Sequence, residues 1–152
     1  MIVRLLVALG LGALVGLERN LAGKEAGMRT EMLISGGAAI FTMIGLALPY
    51  LTASSPEAVP AVIAGSTFMN VIANIVVGIG FLGAGIIIKT QERVHGLTTA
   101  AAVWTTAAIG VLAGLGLWKF ALAAAVIIVI LLYFSRKLDV EEIIAKQTGE
   151  KN

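Results

Sequence analysis

Long apolar segments alternate with short polar ones along the whole chain. Five apolar segments are close to the roughly 20 residues that a helix needs to cross a hydrocarbon core; they cover residues 2–17, 32–51, 61–88, 97–117 and 120–134. In lipid, every backbone polar group must be satisfied within the chain, and helices achieve this segment by segment. The pattern therefore predicts an all-α, polytopic transmembrane bundle of about five spans in residues 1–134, with a polar cytoplasmic tail over residues 135–152.

The third segment is too long for a single upright crossing. At 1.5 Å per residue its 28 residues would extend for roughly 42 Å as one helix. Near its end lie Gly78, Gly80, Gly83 and Gly85, and each glycine inside a helix costs roughly 1 kcal/mol relative to alanine. We expect the helix to tilt, protrude or break, with the glycines as the easiest place for a break and as the crossing point of the bundle.

Basic residues are concentrated in alternate connecting segments, which predicts the orientation. One side of the membrane receives most of them, namely Arg19, Lys24, Arg29, Lys89, Arg93, Arg136, Lys137, Lys146 and Lys151. The other side receives only Arg4 and Lys119. Because cytoplasmic loops concentrate Lys and Arg, we expect the amino terminus outside and the carboxyl terminus in the cytoplasm.

The composition supports a membrane protein and argues against other classes. Of the 152 residues, 59% are hydrophobic and 13% are charged, whereas soluble domains average about 25% charged residues. The chain has no cysteine, and its net charge of +2 is too small to indicate a nucleic-acid partner. No set of residues requires an enzyme.

Glycines also recur at four-residue spacing in two other segments, as Gly12-x-x-x-Gly16 and Gly110-x-x-x-Gly114. Such spacing puts two small residues on one helix face, where another helix can approach closely. Packing within one protomer is the favoured interpretation, and a dedicated dimer seam is the alternative. We expect a homodimer, because five short helices bury little surface alone.

Two amides give the third segment a polar stripe. On an ideal helix, Asn70 and Asn74 share a face with Gly78 and Gly85. We expect this face to be turned toward the bundle interior, where intramembrane amides need partners. They would either bond neighbouring helices or line the path of a ligand or ion.

The glycine run formally matches a dinucleotide-binding pattern as Gly78-x-Gly80-x-x-Gly83. That pattern requires a preceding strand and a carboxylate about 20 residues later. Neither is predicted here, so no cofactor is expected.

The first cytoplasmic loop contains the acidic residues with the strongest claim to a role. Glu18 continues the first helix into the membrane interface, where it needs a cation, and Arg29 is the partner we expect. A Mg²⁺ site uses one or two carboxylates with waters, so Glu18 with Glu25 or Glu31 is an alternative, although their spacing gives no specific support.

Three ordered blocks of sequence resemble the membrane domain of the MgtC/SapB family of prokaryotic inner-membrane proteins. They are Gly16-Leu17-Glu18-Arg19 followed by Gly27-Met28-Arg29-Thr30, then the run from Gly78 to Gly85, and then Gly96-Leu97-Thr98-Thr99 with Trp104. The resemblance points to Glu18, Arg29, Thr30, Gly78, Gly80, Phe81, Gly83, Gly85, Gly96, Thr98, Thr99 and Trp104. Where many members have Asp-x-x-Arg, this chain has Thr67 and Asn70.

The resemblance implies a multi-pass inner-membrane protein linked to Mg²⁺ homeostasis and growth at low Mg²⁺. It further implies binding to a membrane partner such as the ATP synthase. A small ion transporter or channel subunit is the alternative function, and a structural protein whose loops recruit a cytosolic factor is a third.

Overall fold

The structure is a computed structural model that describes residues 1–64, 67–91 and 93–149. Within these residues it contains six α-helices and a two-stranded hairpin. In chain order they are α1 (Ile2–Leu21), α2 (Met28–Thr52), α3 (Val59–Ala64), α4 (Thr67–Ile86), β1 (Ile88–Lys89), β2 (Val94–His95), α5 (Leu97–Leu115) and α6 (Trp118–Gly149), with a 3₁₀ turn at Pro56–Ala58 before α3. The fold is an all-α helical membrane bundle.

Helices α1, α2 and α5 form the centre of the bundle, and glycines set their separation. A Cβ added to Gly12 of α1 would lie 2.9 Å from the Cβ of Ser35 in α2, and one added to Gly110 of α5 would lie 2.8 Å from the Cα of Ser35. Gly16 and Gly114 are equally tight against α2. Both glycine pairs therefore pack helices within one protomer, which confirms the favoured interpretation of their spacing.

The third apolar segment differs from the prediction of one helix over residues 61–88. It contains α3 and α4, and α4 continues through all four glycines to Ile86. Of the three alternatives for this segment, a break at the glycines is therefore excluded. After Ile86 the chain leaves the helix and forms the hairpin, in which Ile88 pairs with His95 and Lys89 with Val94.

Gly96 joins this hairpin to α5 in a conformation that suits only glycine. Its φ is +83°, and an added Cβ would lie 3.2 Å from the Cγ2 of Ile86. Left-handed backbone and lack of space both exclude a side chain here. Gly96 thus fixes the start of α5 beside the end of α4.

The last helix is longer than its apolar segment. Residues 120–134 and residues 135–149 of the predicted tail belong to one helix, α6, that runs to Gly149, because no proline or glycine interrupts the sequence between Trp118 and Thr148. Ala121, Ala125 and Leu132 bury one side of α6 in the core that α1 and α5 share. Residues 150–152 of the predicted tail lie outside the described residues.

Four of these helices are long and apolar enough to cross a membrane: α2, α4 from Phe68, α5, and α6 as far as Lys137. Helix α1 has 20 residues but is not among the four, and it carries Arg4, Glu18 and Arg19. The Nη1 of Arg4 donates a hydrogen bond of 2.9 Å to the carbonyl oxygen of Gly114, where the negative end of the α5 dipole favours a cation. The count of five spans and the orientation stay predictions.

Candidate functional site

A group of buried polar side chains lies where α1, α2 and α5 meet. It consists of Glu18 and Arg19 from the end of α1, Glu31 and Ser35 from the start of α2, and Thr99 and Thr106 from α5, all of them buried. We call this set the polar cluster. The close approach of the three helices at Gly12, Gly16 and Gly110 brings the residues together.

Arg19 is the central cation of the polar cluster. It is 3% exposed, and its Nη1 lies 3.7 Å from the Oε2 of Glu18. Its Nη2 donates a hydrogen bond of 3.1 Å to the Oγ1 of Thr99. The Thr99 hydroxyl in turn donates to the Oε2 of Glu25 at 3.5 Å. These contacts connect α1, α5 and the loop that precedes α2.

Glu31 is the most deeply buried carboxylate of the described residues, with no exposed surface. The Arg19 guanidinium and the Thr106 hydroxyl lie close enough to act on its charge. Among the described residues, no hydrogen-bond geometry is satisfied for either carboxylate oxygen of Glu31, or for the hydroxyls of Ser35 and Thr106. Buried polar atoms ordinarily have hydrogen-bond partners, so Glu31 is a costly group at this position.

The expected ion pair between Glu18 and Arg29 is wrong, because Glu18 pairs with Arg19. Arg19 follows Gly12 and Gly16 on the packed face of α1, at spacings of i+7 and i+3. On α2, Met28 packs against Gly16, and the next residue, Arg29, is rotated onto a different face and is exposed.

A carboxylate magnesium site at Glu18, Glu25 and Glu31 receives no support from the geometry. Among the described residues, no three or more His, Cys, Asp or Glu side chains form a group able to hold a metal ion. Glu25 reaches the polar cluster only through Thr99. Such a magnesium site stays a hypothesis.

Arg29 instead marks one end of a groove between α2 and α4, which we call the α2–α4 groove. Its volume is about 910 Å³, and its walls are apolar except for Arg29, Thr30 and Asn74. Two glycines deepen it, since an added Cβ would meet no atom within 4 Å at Gly37 or at Gly78.

A comparison with protein families gives the identification. The MgtC family model matches residues 5–140. The chain belongs to the MgtC family. It is 46% identical over 127 residues to protein MgtC of Salmonella typhimurium strain 14028s, covering 84% of this chain and 48% of that protein.

Two further relatives support the same family. Protein MgtC of Brucella abortus is 43% identical over 119 residues, or 78% of this chain and 44% of that protein. Protein SrpB of Synechococcus elongatus is 39% identical over 127 residues, or 78% of this chain and 65% of that protein. The chain thus spans about half the length of the MgtC relatives. No solved structure matches it.

The MgtC resemblance pointed to residues that the structure distributes over several places. Glu18 and Thr99 lie in the polar cluster, whereas Arg29, Thr30 and Gly78 line the groove. Two of the remaining residues are not exposed: Gly83 is buried, where an added Cβ would lie 3.7 Å from the Cβ of Ala100, and Gly96 is half-buried. The exposed residues are Gly80, Phe81, Gly85, Thr98 and Trp104. No side chain caps the start of α5 by a hydrogen bond.

The expectation that Asn70 and Asn74 face the bundle interior is wrong. Both are exposed, and Asn74 lines the α2–α4 groove. The glycine stripe is likewise not the crossing point of the bundle, since an added Cβ at Gly78, Gly80 or Gly85 would meet open space.

Sequence reasoning missed three members of the polar cluster: Arg19, Ser35 and Thr106. A signal was available for two of them. Arg19 lies seven residues after Gly12, and Thr106 lies four residues before Gly110, so each shares a helix face with a close-packing glycine. No sequence signal distinguishes Ser35 from an ordinary small residue in a membrane helix.

Proposed function

We propose that this MgtC-family chain is a non-enzymatic protein of the prokaryotic inner membrane that acts by binding another membrane protein. The ATP synthase is the partner we propose, and adaptation to low Mg²⁺ is the proposed context. Both follow from the family resemblance, and the geometry of α4 supports the mode of action.

The supporting observation is the uncovered outer face of α4. Ala73, Val77, Gly80 and Ala84 follow one another at spacings of four, three and four residues, so they share one face of the helix, and all four are exposed. Phe81 lies beside them and is 81% exposed. We call this surface the outer α4 face.

Small residues suit this face to contact with a transmembrane helix. In lipid, helix association depends on close packing and interhelical hydrogen bonds, because lipid tails are as apolar as the side chains. Gly80 and Ala84 allow a partner backbone to approach, and the exposed amide of Asn70 offers a hydrogen bond. A partner helix would therefore gain contacts here that lipid does not provide.

The test is affinity purification of the tagged chain from native membranes in several mild detergents, with mass spectrometry of what it retains. We expect ATP synthase subunits at a stoichiometric level. Gly80→Leu should remove them by blocking close approach. Gly10→Leu is the matched control, because an added Cβ at Gly10 of α1 also meets no atom within 4 Å. Recovery of the chain alone in every detergent would refute the proposal.

A small ion transporter or channel subunit is the second candidate function. The observation that favours it is the buried carboxylate of Glu31 in α2, because ionisable groups within membrane helices often mark ion or proton pathways. Purified protein in liposomes should then move Mg²⁺ or another ion above the background of empty liposomes, and Glu31→Gln should abolish that flux. Folded protein without flux would eliminate this candidate.

A further inference from the structure

We infer that the α2–α4 groove binds an anionic phospholipid, with an acyl chain along the groove and the phosphate at Arg29. This inference goes beyond the proposed function, because the groove and the outer α4 face are different surfaces of the same helix. Three features of the groove carry it: its length, its glycine floor and its charge.

The length of the groove matches one leaflet of a bilayer. On α2 its lining runs from Arg29 to Phe41, twelve residues or roughly 18 Å of helix. On α4 it runs from Val71 to Ile86, fifteen residues or roughly 22 Å. One leaflet accounts for about 15 Å of hydrocarbon, or roughly 20–22 Å with its headgroup region, where the phosphate lies. A partner helix would need a groove along the whole core, whereas an acyl chain that starts at the interface needs only this length.

The floor of the groove is open because two glycines face it. Gly37 of α2 and Gly78 of α4 both line the groove, and a Cβ at either would meet no atom within 4 Å. Apart from Arg29, Thr30 and Asn74, the surrounding walls are apolar. An acyl chain therefore finds an apolar channel with room along both helices.

The end of the groove provides the charge for a phosphate. Arg29 is exposed there, and among the described residues it forms no ion pair, in contrast to Arg19, which is held by Glu18. Thr30 adds a hydroxyl at the same end. The predicted orientation puts this end in the cytoplasmic leaflet, where anionic lipids give the surface a negative potential. A guanidinium binds a phosphate oxygen pair well.

The test is native mass spectrometry of the purified full chain with two lipids that have the same acyl chains. Dioleoyl phosphatidylglycerol should remain bound as one molecule per chain, with a preference of roughly fivefold over dioleoyl phosphatidylethanolamine, the factor for one cationic side chain at an anionic surface. Arg29→Gln should remove the preference. Arg93→Gln, the matched control in the exposed hairpin loop, should retain it.

Substitutions that fill the groove distinguish binding of the acyl chain from binding of the headgroup. Gly78→Leu should lose both lipids, whereas Gly80→Leu, two residues away on another face of α4, should retain them. Gly37→Leu fills the groove from α2 and should also lose both lipids. The same result from two helices would show that the loss does not come from a folding defect in one variant. Circular dichroism checks the fold of each variant. Glycerol 3-phosphate should not displace the lipid.

Several results would overturn the inference. They are equal retention of the two lipids by the unmodified chain, equal loss from Gly78→Leu and Gly80→Leu, displacement by glycerol 3-phosphate alone, or a dimer that excludes lipid and dissociates when Gly78 is replaced. The last result would assign the groove to a second copy of the chain.

Discussion

Replacing Arg19 by methionine should destabilise the fold far more than the same replacement at Arg29. Arg19 is 3% exposed, lies against Glu18 and donates a hydrogen bond to Thr99. Methionine keeps much of the volume but leaves Glu18 buried without a cation. Removing one partner of a buried ion pair costs about 3–5 kcal/mol. Arg29 is exposed, and exposed replacements usually stay within about 0.5 kcal/mol.

The assay is unfolding of each variant in mixed micelles by increasing fractions of sodium dodecyl sulphate, followed by far-ultraviolet circular dichroism. The free energy of unfolding should fall by about 3–5 kcal/mol for Arg19→Met, which is a large part of the 5–15 kcal/mol typical of folded domains. A difference of less than about 1 kcal/mol between the two variants would show that Arg19 does not hold the polar cluster together.

A double-mutant cycle isolates the contact between Arg19 and Thr99. Measured hydrogen bonds between membrane helices average about 0.6 kcal/mol and reach about 1.7 kcal/mol, so the coupling between Arg19→Met and Thr99→Val should fall in this range. Thr105→Val is the control, because Thr105 donates to the carbonyl oxygens of its own helix, at 3.0 Å for Ala101. Coupling of Arg19 to Thr105 as strong as to Thr99 would contradict the geometry.

Three further predictions follow from the glycines and from the loop before α3. Gly110→Ala should destabilise the bundle by about 1–3 kcal/mol through overpacking, whereas Gly80→Ala, with open space around the new Cβ, should stabilise it by up to about 1 kcal/mol through helix propensity; the same unfolding assay compares them. Gly96→Ala should also destabilise, by roughly 1–2 kcal/mol from left-handed backbone alone, and a stability equal to the unmodified chain would exclude the strain at φ +83°. The pKa of Glu57 lies below its ordinary value of 4.5 because its own backbone N–H and then the Ser55 hydroxyl donate to the carboxylate; this contribution to stability is present above pH 4.5 and is lost as the pH falls through the lowered pKa. Ser55→Ala should raise that pKa in an NMR titration, and no change would eliminate the hydroxyl as a cause.

The sequence was sufficient to predict five long apolar helices and the close contacts at the glycines of α1 and α5, although it joined α3 to α4 and ended the last helix at residue 134. Apolar length is a property of a single segment, so it is visible locally. The spacing of Gly12 and Gly16 likewise predicted close packing, because a missing side chain has the same consequence for any neighbour. The cation that pairs with Glu18 could not be predicted from a single segment. It depends on whether Arg19 or Arg29 faces the α1–α2 contact, and Met28, which packs on Gly16, settles that rotation only in three dimensions.

The sequence also did not indicate which side of α4 faces the other helices. In a soluble helix, polar and apolar faces distinguish outside from inside, but lipid and protein interior are both apolar. The need of intramembrane amides for partners suggested that the face with Asn70 and Asn74 is turned inward. Both amides are nevertheless exposed. Gly83 is the glycine that faces α5, near Ala100, and its spacing in the sequence does not set it apart from Gly80 or Gly85.

Exposed glycines of α4 differ in their energetic role from the glycines of α1 and α5 that contact α2. At Gly12, Gly16, Gly110 and Gly114 the loss of helix propensity is offset by contact with α2. At Gly78 and Gly80 it is not, because an added Cβ would meet nothing there, and two such positions cost roughly 2 kcal/mol relative to alanine. A residue that lowers the stability of the fold without a compensating contact inside the protein is expected at functional surfaces. Contacts with molecules outside the chain can offset that cost, and lipid in the α2–α4 groove and a helix on the outer α4 face are the two contacts with the geometry to do so.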